Sequence, residues 1–369
     1  MPLHAGAKAA ILRPTRFEDY DQIASLEREV GLNPRPRERW MHLWCNNPVY
    51  RSVAGWPIGW VLEDENGCVV GSIGNVPLVS HMGGRAHLGA TLIGWAVDPR
   101  YRAFSLMLVT HQHQHRHVDF EVSTTAGPMP QAVLTRLGWS RVPVGQWDRS
   151  AFWITSYAGA IGAYLERRMP GVATAALHKI MRAGLRLGRH ESASGSRFGL
   201  RWCERFDESF DAFWKEQLDR RPDMFLSSRA RNTLEWHFRH FLESGDAWIL
   251  AARTGPRLSA YAVFERKDAR SVGLNRMLLV DFQMLEPDPA LASAMLRAGI
   301  ERCRAENIHV LENIGCWMDR VELAGRHPGR HRALKCWCYL YKAADPELAG
   351  ALENPACWYP TQYDGDASL

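Results

Sequence analysis

Lysine is nearly absent from this chain. Six occur in 369 residues (Lys8, Lys179, Lys215, Lys267, Lys335 and Lys342), against 39 arginines. Cationic work therefore falls to guanidinium forks, which suit carboxylates, phosphates and aromatic faces; arginine-favouring codon usage accounts for most of them. The eight cysteines include no CxxC pair and no zinc-finger spacing, which excludes the common zinc modules and dithiol redox centres. Cys336 and Cys338 flank Trp337, so on a strand their thiols point to opposite faces. Long apolar runs are missing as well. The uncharged stretch 150–165 falls short of the roughly 20 residues a membrane span needs. The N-terminal residues lack the apolar core of a secretory signal. Reduced thiols and a cytoplasmic location are the expectation. A net charge of +5 is too small to demand nucleic acid, and DNA is not expected as a partner.

Hydrophobic residues make up 46% and charged residues 23%, enough apolar surface for packed cores. The length suits two domains, and the 15 tryptophans suit aromatic cores or a ring-lined groove. The order of elements predicts a mixed α/β fold. A short strand at 11–14 precedes a helix with Phe17, Tyr20, Ile23, Leu26 and Val30 on one face. A hairpin follows over 56–63 and 68–79, then a central strand at 87–97, a helix at 104–117 and a strand at 118–125. A short helix ends at Leu137-Gly138-Trp139. A connector, 151–198, contains a basic amphipathic segment at 172–190 that packs on a domain or touches an anionic membrane surface, and a flexible joint at 190–197. From 199 to 345 the same element order recurs, with helices at 206–218 and 228–242, strands at 247–253, 259–266 and 276–285, a helix at 289–307, and strands at 308–314 and 337–342. The tail is 346–369.

One constellation carries chemistry. An apolar strand ends in Val97-Asp98-Pro99-Arg100-Tyr101-Arg102 and a helix starts within a few residues. A tight turn into a helix N-terminus favours an anion, and Arg100 and Arg102 add charge-assisted hydrogen bonds. With Val97, Pro99, Tyr101 and Arg102 in place, this resembles the coenzyme A loop of the GCN5-related N-acetyltransferase family, with Ser105 and Met107 where that family has glycines. Leu12-Arg13-Pro14 with Asp19, Val70-Gly71-Ser72 and Leu137-Gly138-Trp139 are similar to other landmarks of the family. The resemblance covers residues 10–150, with a second, degenerate copy over 199–345 whose acidic Glu286-Pro287-Asp288-Pro289 lacks the loop. The tail, Cys357-Trp358-Tyr359 to Asp364-Gly365-Asp366, resembles tails of tandem members encoded among surface-polysaccharide functions; read alone it is an aromatic anchor and a frayed turn.

The resemblance implies acyl transfer, acetyl first, from acetyl-coenzyme A or another acyl-coenzyme A to an amine on a small molecule or amino sugar. It implies cofactor contacts from the strand edge Trp95, Ala96 and Val97 and from the loop Arg100, Tyr101, Arg102, Ala103, Phe104, Ser105 and Leu106. The family's acid, a tyrosine four residues before the glycine of its L-G-F, falls on Leu134. His87 and Glu121 in the first half, with Asp281 and Glu312 in the second, are the candidate acid–base groups. Asp281 is the one whose burial demands a partner, with Arg276 the nearest in sequence. Trp40, Trp44, Trp56 and Trp60 make either core or acceptor groove. His111, His113, His115 and His117 form i,i+4 pairs on two helix faces without an acidic third ligand, so no metal is expected. An aminoacyl-tRNA-dependent aminoacyltransferase, with tRNA as partner, and a non-catalytic acyl-coenzyme A or metabolite-binding protein are the alternatives. The oligomeric state is not legible.

Overall fold

The computed structural model describes residues 9–113, 118–169, 198–319, 329–334 and 338–369. The basic segment 172–190, the joint 190–197, the side chains of His113, His115 and His117, and the pair Cys336-Trp337 lie outside the described residues.

In chain order the first half runs β1 (Ala10–Pro14), α1 (Tyr20–Glu29), α2 (Arg37–Cys45), α3 (Pro48–Ser52), β2 (Gly59–Asp64), β3 (Val69–Met82), β4 (Arg85–Val97), α4 (Ser105–His113), β5 (Phe120–Ser123), α5 (Pro128–Arg136), β6 (Ser140–Arg141), β7 (Gln146–Ile154) and α6 (Tyr157–Arg168). The second runs β8 (Leu200–Cys203), α7 (Glu208–Arg220), β9 (Leu226–Ser227), α8 (Arg231–Glu243), β10 (Ala247–Thr254), β11 (Arg257–Arg266), β12 (Arg276–Met284), α9 (Pro289–Ala305), β13 (Val310–Gly315), β14 (Arg330–Ala333), β15 (Leu340–Ala343) and α10 (Pro346–Leu352).

Local chemistry explains the boundaries. Asp288 caps α9 by accepting the N–H groups of Ala290 and Leu291, with Pro289 in the first turn, where its missing N–H costs nothing. Helix α7 buries Phe210, Phe213, Trp214 and Gln217, the i, i+3, i+4, i+7 stripe of a helix lying on a sheet. Ile23 and Leu26 of α1 are buried the same way, each worth about 1.5–3 kcal/mol.

Two mixed sheets result, in the order β1-β2-β3-β4-β5-β15-β6 and β14-β7-β13-β12-β11-β10-β8, with β9 added against β3. Each contains one parallel pair, β4 with β5 and β12 with β13. This is the mixed α/β architecture the element order predicts. The halves also exchange strands. β7 leaves the first half to pair with β13 and β14, and β15 returns from the second half to lie between β5 and β6. The sequence places 337–342 last in the second half; its strand instead closes the first sheet. A period-two pattern fixes which face is buried but not which sheet edge is met, and β5 presents an unpaired edge that a strand must cover.

The tail differs from a frayed turn. Trp358 is an anchor, donating its indole N–H to Leu352 O at 2.8 Å. Beyond it, however, Thr361, Gln362, Asp364, Asp366 and Ser368 are buried. Tyr363 donates its hydroxyl to Ser228 O at 2.7 Å. Asp366 accepts the backbone N–H and hydroxyl of Thr124 at 2.6 and 2.8 Å. Polar side chains with these partners let a polar tail run through the interior. Among the described residues no helix is long and apolar enough to cross a membrane.

Candidate functional site

The site begins with a mismatch between two strands. β4 and β5 pair only at Gly89 with Phe120, Ala90 with Glu121, and Thr91 with Val122. Beyond Thr91 the strands diverge, and β4 continues to Val97 held by β3 alone among the described residues. Among the described residues no strand pairs with the other edge beyond Thr91, which leaves it as a template for an extended ligand.

A bulge marks the middle of that edge. Ser72 faces Ala96 and Gly74 faces Ile93, so Gly94 and Trp95 together oppose Ile73. Gly94 has φ +56°, a conformation costly for any residue with a Cβ. A Cβ there would also stand 2.5 Å from Glu27 Oε1. The bulge and the Glu27 carboxylate are therefore in direct contact. Burial pushes the Glu27 carboxyl above its ordinary value, with Arg35 pulling the other way. Glu27, Arg35, Thr15, Trp40 and Gly94 share one small hollow.

On the side where the strands part lies a cavity of about 430 Å³. Trp95 and Val97 of β4 form one wall, Arg102, Ser105 and Leu106 a second, and Met129, Pro130, Val133, Arg136 and Leu137 a third. The walls are apolar apart from Ser105 and two guanidinium groups, Arg102 and Arg136. Five residues of the proposed cofactor set thus come together: Trp95, Val97, Arg102, Ser105 and Leu106. The other five do not line it. Ala96 packs in the core on the opposite face of β4, and Tyr101 is buried in a cluster with Leu108 and Trp139. Ala103 and Phe104 lie in the short helix before α4, outside the cavity wall. Met107, in a family glycine position, is exposed and does not narrow the cavity.

Arg100 has a different task from the one its position implies. Asp98 caps the turn, accepting the Arg100 N–H at 2.8 Å and its Nε at 3.0 Å. The anion at this helix start is the protein's own carboxylate, and it draws the Arg100 side chain to itself.

The four acid–base candidates are scattered. His87 is at the opposite end of β4, seven residues before Gly94, or roughly 23 Å along a strand; its Nδ1 is 3.8 Å from Asp119. Glu121 is buried in β5 beside Ala90, about 13 Å from the bulge by the same measure. Asp281 is fully buried in the second sheet, where Arg229, and not Arg276, meets it through Nε and Nη2 at 2.9 and 3.0 Å. Tyr261, Gln283 and Thr361 donate to it as well. Burial raises the Asp281 carboxyl, but the Arg229 guanidinium outweighs it and holds the group below the ordinary carboxylate range. Glu312 takes Arg276 at 3.1 Å and Arg332 Nε at 2.8 Å. Neither second-sheet carboxylate faces the wedge cavity; both are saturated by arginine.

Leu134 is buried in the core, so no acid replaces the tyrosine there. The four early tryptophans are core: all are buried, and Trp44 and Trp56 both donate to Asn75 O, at 2.7 and 3.0 Å. His111 packs edge-on to Trp60. Among the described residues no three His, Cys, Asp or Glu side chains gather as a metal site.

Glu27 and Arg136 belong to none of the motifs legible in the sequence. The signal for Glu27 was present: it sits at i+4 from Ile23, a carboxylate within the apolar stripe of α1. A glycine inside an otherwise apolar strand likewise marks a bulge, and Gly94 is one.

The comparisons follow from this architecture. A GCN5-related N-acetyltransferase from Anabaena variabilis matches with a TM-score of 0.56 at 11% identity, over 91% of this chain and 73% of that one. Another, from Kribbella flavida, matches at 0.55 and 13% identity, over 94% and 73%. The Saccharomyces cerevisiae N-myristoyltransferase with bound myristoyl-CoA matches at 0.54 and 12% identity, over 93% and 80%. The chain has the GCN5-related N-acetyltransferase fold. No family model and no curated protein matches the sequence.

Proposed function

We propose that this protein is an N-acyltransferase that moves an acyl group, acetyl first, from acyl-coenzyme A to an amine on a small molecule or amino sugar. The observation that carries the reading is the wedge between β4 and β5, with a free strand edge, an apolar cavity carrying two arginines, and a bulge in contact with a carboxylate. The residues fit coenzyme A. The backbone groups of Trp95–Val97 suit the amides of a pantetheine arm, the apolar walls suit its methylenes and methyls, and Arg102 with Arg136 suits its phosphates.

Bound acyl-coenzyme A supplies the thioester; the chain supplies position and proton transfer. Glu27 is the candidate base. Its raised carboxyl value brings it closer to neutral pH, where a base is most effective. As the amine nitrogen bonds to the acyl carbon and the carbon–sulfur bond breaks, Glu27 takes the amine proton, and a proton from solvent or from Glu27 ends on the departing sulfur. Asp98 keeps Arg100 off the phosphates, leaving Arg102 and Arg136 to hold them. A cytoplasmic setting and the division at 151–198 belong to the same proposal.

The test is thiol release from acetyl-coenzyme A across a panel of amines. Amine-dependent release from the wild-type protein, reduced at least a hundredfold in Glu27→Gln, supports transfer. Binding without release by any amine places the protein among non-catalytic acyl-coenzyme A binders.

A further inference from the structure

A second cavity, of about 520 Å³, lies between the α1–α2 connection and the second sheet. Its walls include Arg35 and Arg39 from the first half, His240 from α8, Glu265 at the end of β11, and Arg270 just beyond. Glu265 is the anomaly. It is fully buried, and neither carboxylate oxygen has a hydrogen bond; its ion-pair partner is Lys267, at 3.4 Å. A carboxylate taken from water without hydrogen bonds is expensive to keep, and hydroxyl or N–H donors of a ligand would relieve it. His240 Nε2 is a third buried atom here without a hydrogen bond. Burial, then His42 and Arg39, hold His240 below its ordinary value, so the ring is neutral and can donate or accept.

The charges select further. Lys267 turns to Glu265, Arg266 to Asp268 at 3.0 Å, and Arg35 donates to Leu369 O at 2.9 Å. Arg39, over the Phe241 ring, and Arg270 make no ion pair among the described residues. Asp246 also lines the cavity, accepting the Ser244 hydroxyl at 2.9 Å, so two arginines stand against one carboxylate and the wall keeps a positive excess beside the hydrogen-bonding groups inside. Arg35 also lines the hollow that holds Glu27 and Gly94, so this one side chain separates the cavity from the bulge.

Resting on the acyltransferase reading, we propose that this cavity is the acceptor pocket and takes an amine that carries both hydroxyl groups and an anionic group, the class of an amino-sugar phosphate. Glu265 and His240 hold the hydroxyls, Arg39 and Arg270 hold the anion, and the amine reaches Glu27 past Arg35. A plain diamine would set its second ammonium among these arginines and is rejected.

The experiment is calorimetric titration, without coenzyme A, of glucosamine 6-phosphate, glucosamine, inorganic phosphate and cadaverine into the wild-type protein, Glu265→Gln and Arg39→Gln. Glucosamine 6-phosphate is expected to bind at least tenfold more tightly than glucosamine or phosphate, with no cadaverine binding, and each substitution to weaken it at least tenfold. Arg39→Gln, on a partly exposed helix face, keeps the test alive should Glu265→Gln not fold. No binding of glucosamine 6-phosphate, affinity no better than phosphate, or full affinity in the folded variants overturns the proposal. A parallel acetyl-coenzyme A titration separates the two readings. Acetyl-coenzyme A binding without sugar-phosphate binding removes the pocket alone. Sugar-phosphate binding without acetyl-coenzyme A binding removes the transferase reading and leaves the anionic-sugar site standing.

Discussion

Replacing Gly94 with alanine perturbs the bulge at one atom, and the structure gives the size of the effect. At φ +56° an alanine costs about 1–2 kcal/mol in backbone strain. The added Cβ would also lie 2.5 Å from Glu27 Oε1, closer than the two atoms tolerate. That oxygen is at the far end of a flexible side chain, so it moves aside at little further cost in stability. Moving it takes the base away from the bulge, where general-base catalysis is worth about 10²–10⁴ in rate. Gly94→Ala should therefore melt only a few degrees lower while kcat falls about a hundredfold. The assay is steady-state thiol release with a working amine, repeated in a Glu27→Ala background. If the loss runs through Glu27, the double variant is no slower than Glu27→Ala. An unchanged kcat in Gly94→Ala, or a further hundredfold loss on top of Glu27→Ala, refutes the link between bulge and base.

Other expectations follow from the same geometry. Because Glu27 must be ionised to accept a proton and its carboxyl value is raised, kcat/KM should fall as pH drops through that raised value; Glu27→Gln should flatten this limb of the pH profile. Arg102→Ala and Arg136→Ala should each weaken acetyl-coenzyme A about tenfold or more, the loss of a charge-assisted hydrogen bond, whereas Arg100→Ala, its side chain held by Asp98, should leave titrated affinity unchanged. Asp281→Ala strips the buried Arg229 of its main partner and should cost about 3–5 kcal/mol in denaturant unfolding. The lowered Asp281 carboxyl contributes stability above its unfolded value of about 3.9, and that contribution is lost as pH falls from there through the lowered value. Acid titration of the melting temperature should show this loss in the wild-type protein and not in Asp281→Ala.

Much of the fold is local and was legible. The apolar run at 87–97 and the helical stripe at 17–30 name β4 and α1 through their periods alone. The strand exchange was not, because β7 and β15 choose their sheets by tertiary pairing that no local pattern records. The candidate site divides the same way. The turn at 97–105 is contiguous, so its motif could be read, but the choice between Arg100 and Arg102 depends on which guanidinium Asp98 captures. Arg136 joins Arg102 only because α5 folds back across the wedge. Glu27 is separated by 67 positions from Gly94, and their contact exists only once α1 packs on β4. In sequence Asp281 reads as a buried charge needing a partner; the partner is Arg229, 52 residues away, and not Arg276 on its own strand.

The proposed transfer depends first on acyl-coenzyme A binding in the wedge between β4 and β5. Titration of acetyl-coenzyme A into the wild-type protein and into Val133→Trp, whose indole would project into the 430 Å³ cavity and block part of it, is the decisive measurement. Saturable binding is expected of the wild-type protein, and its loss in a variant that still melts cooperatively. No binding by the wild-type protein at millimolar ligand, or full affinity in Val133→Trp, rules it out.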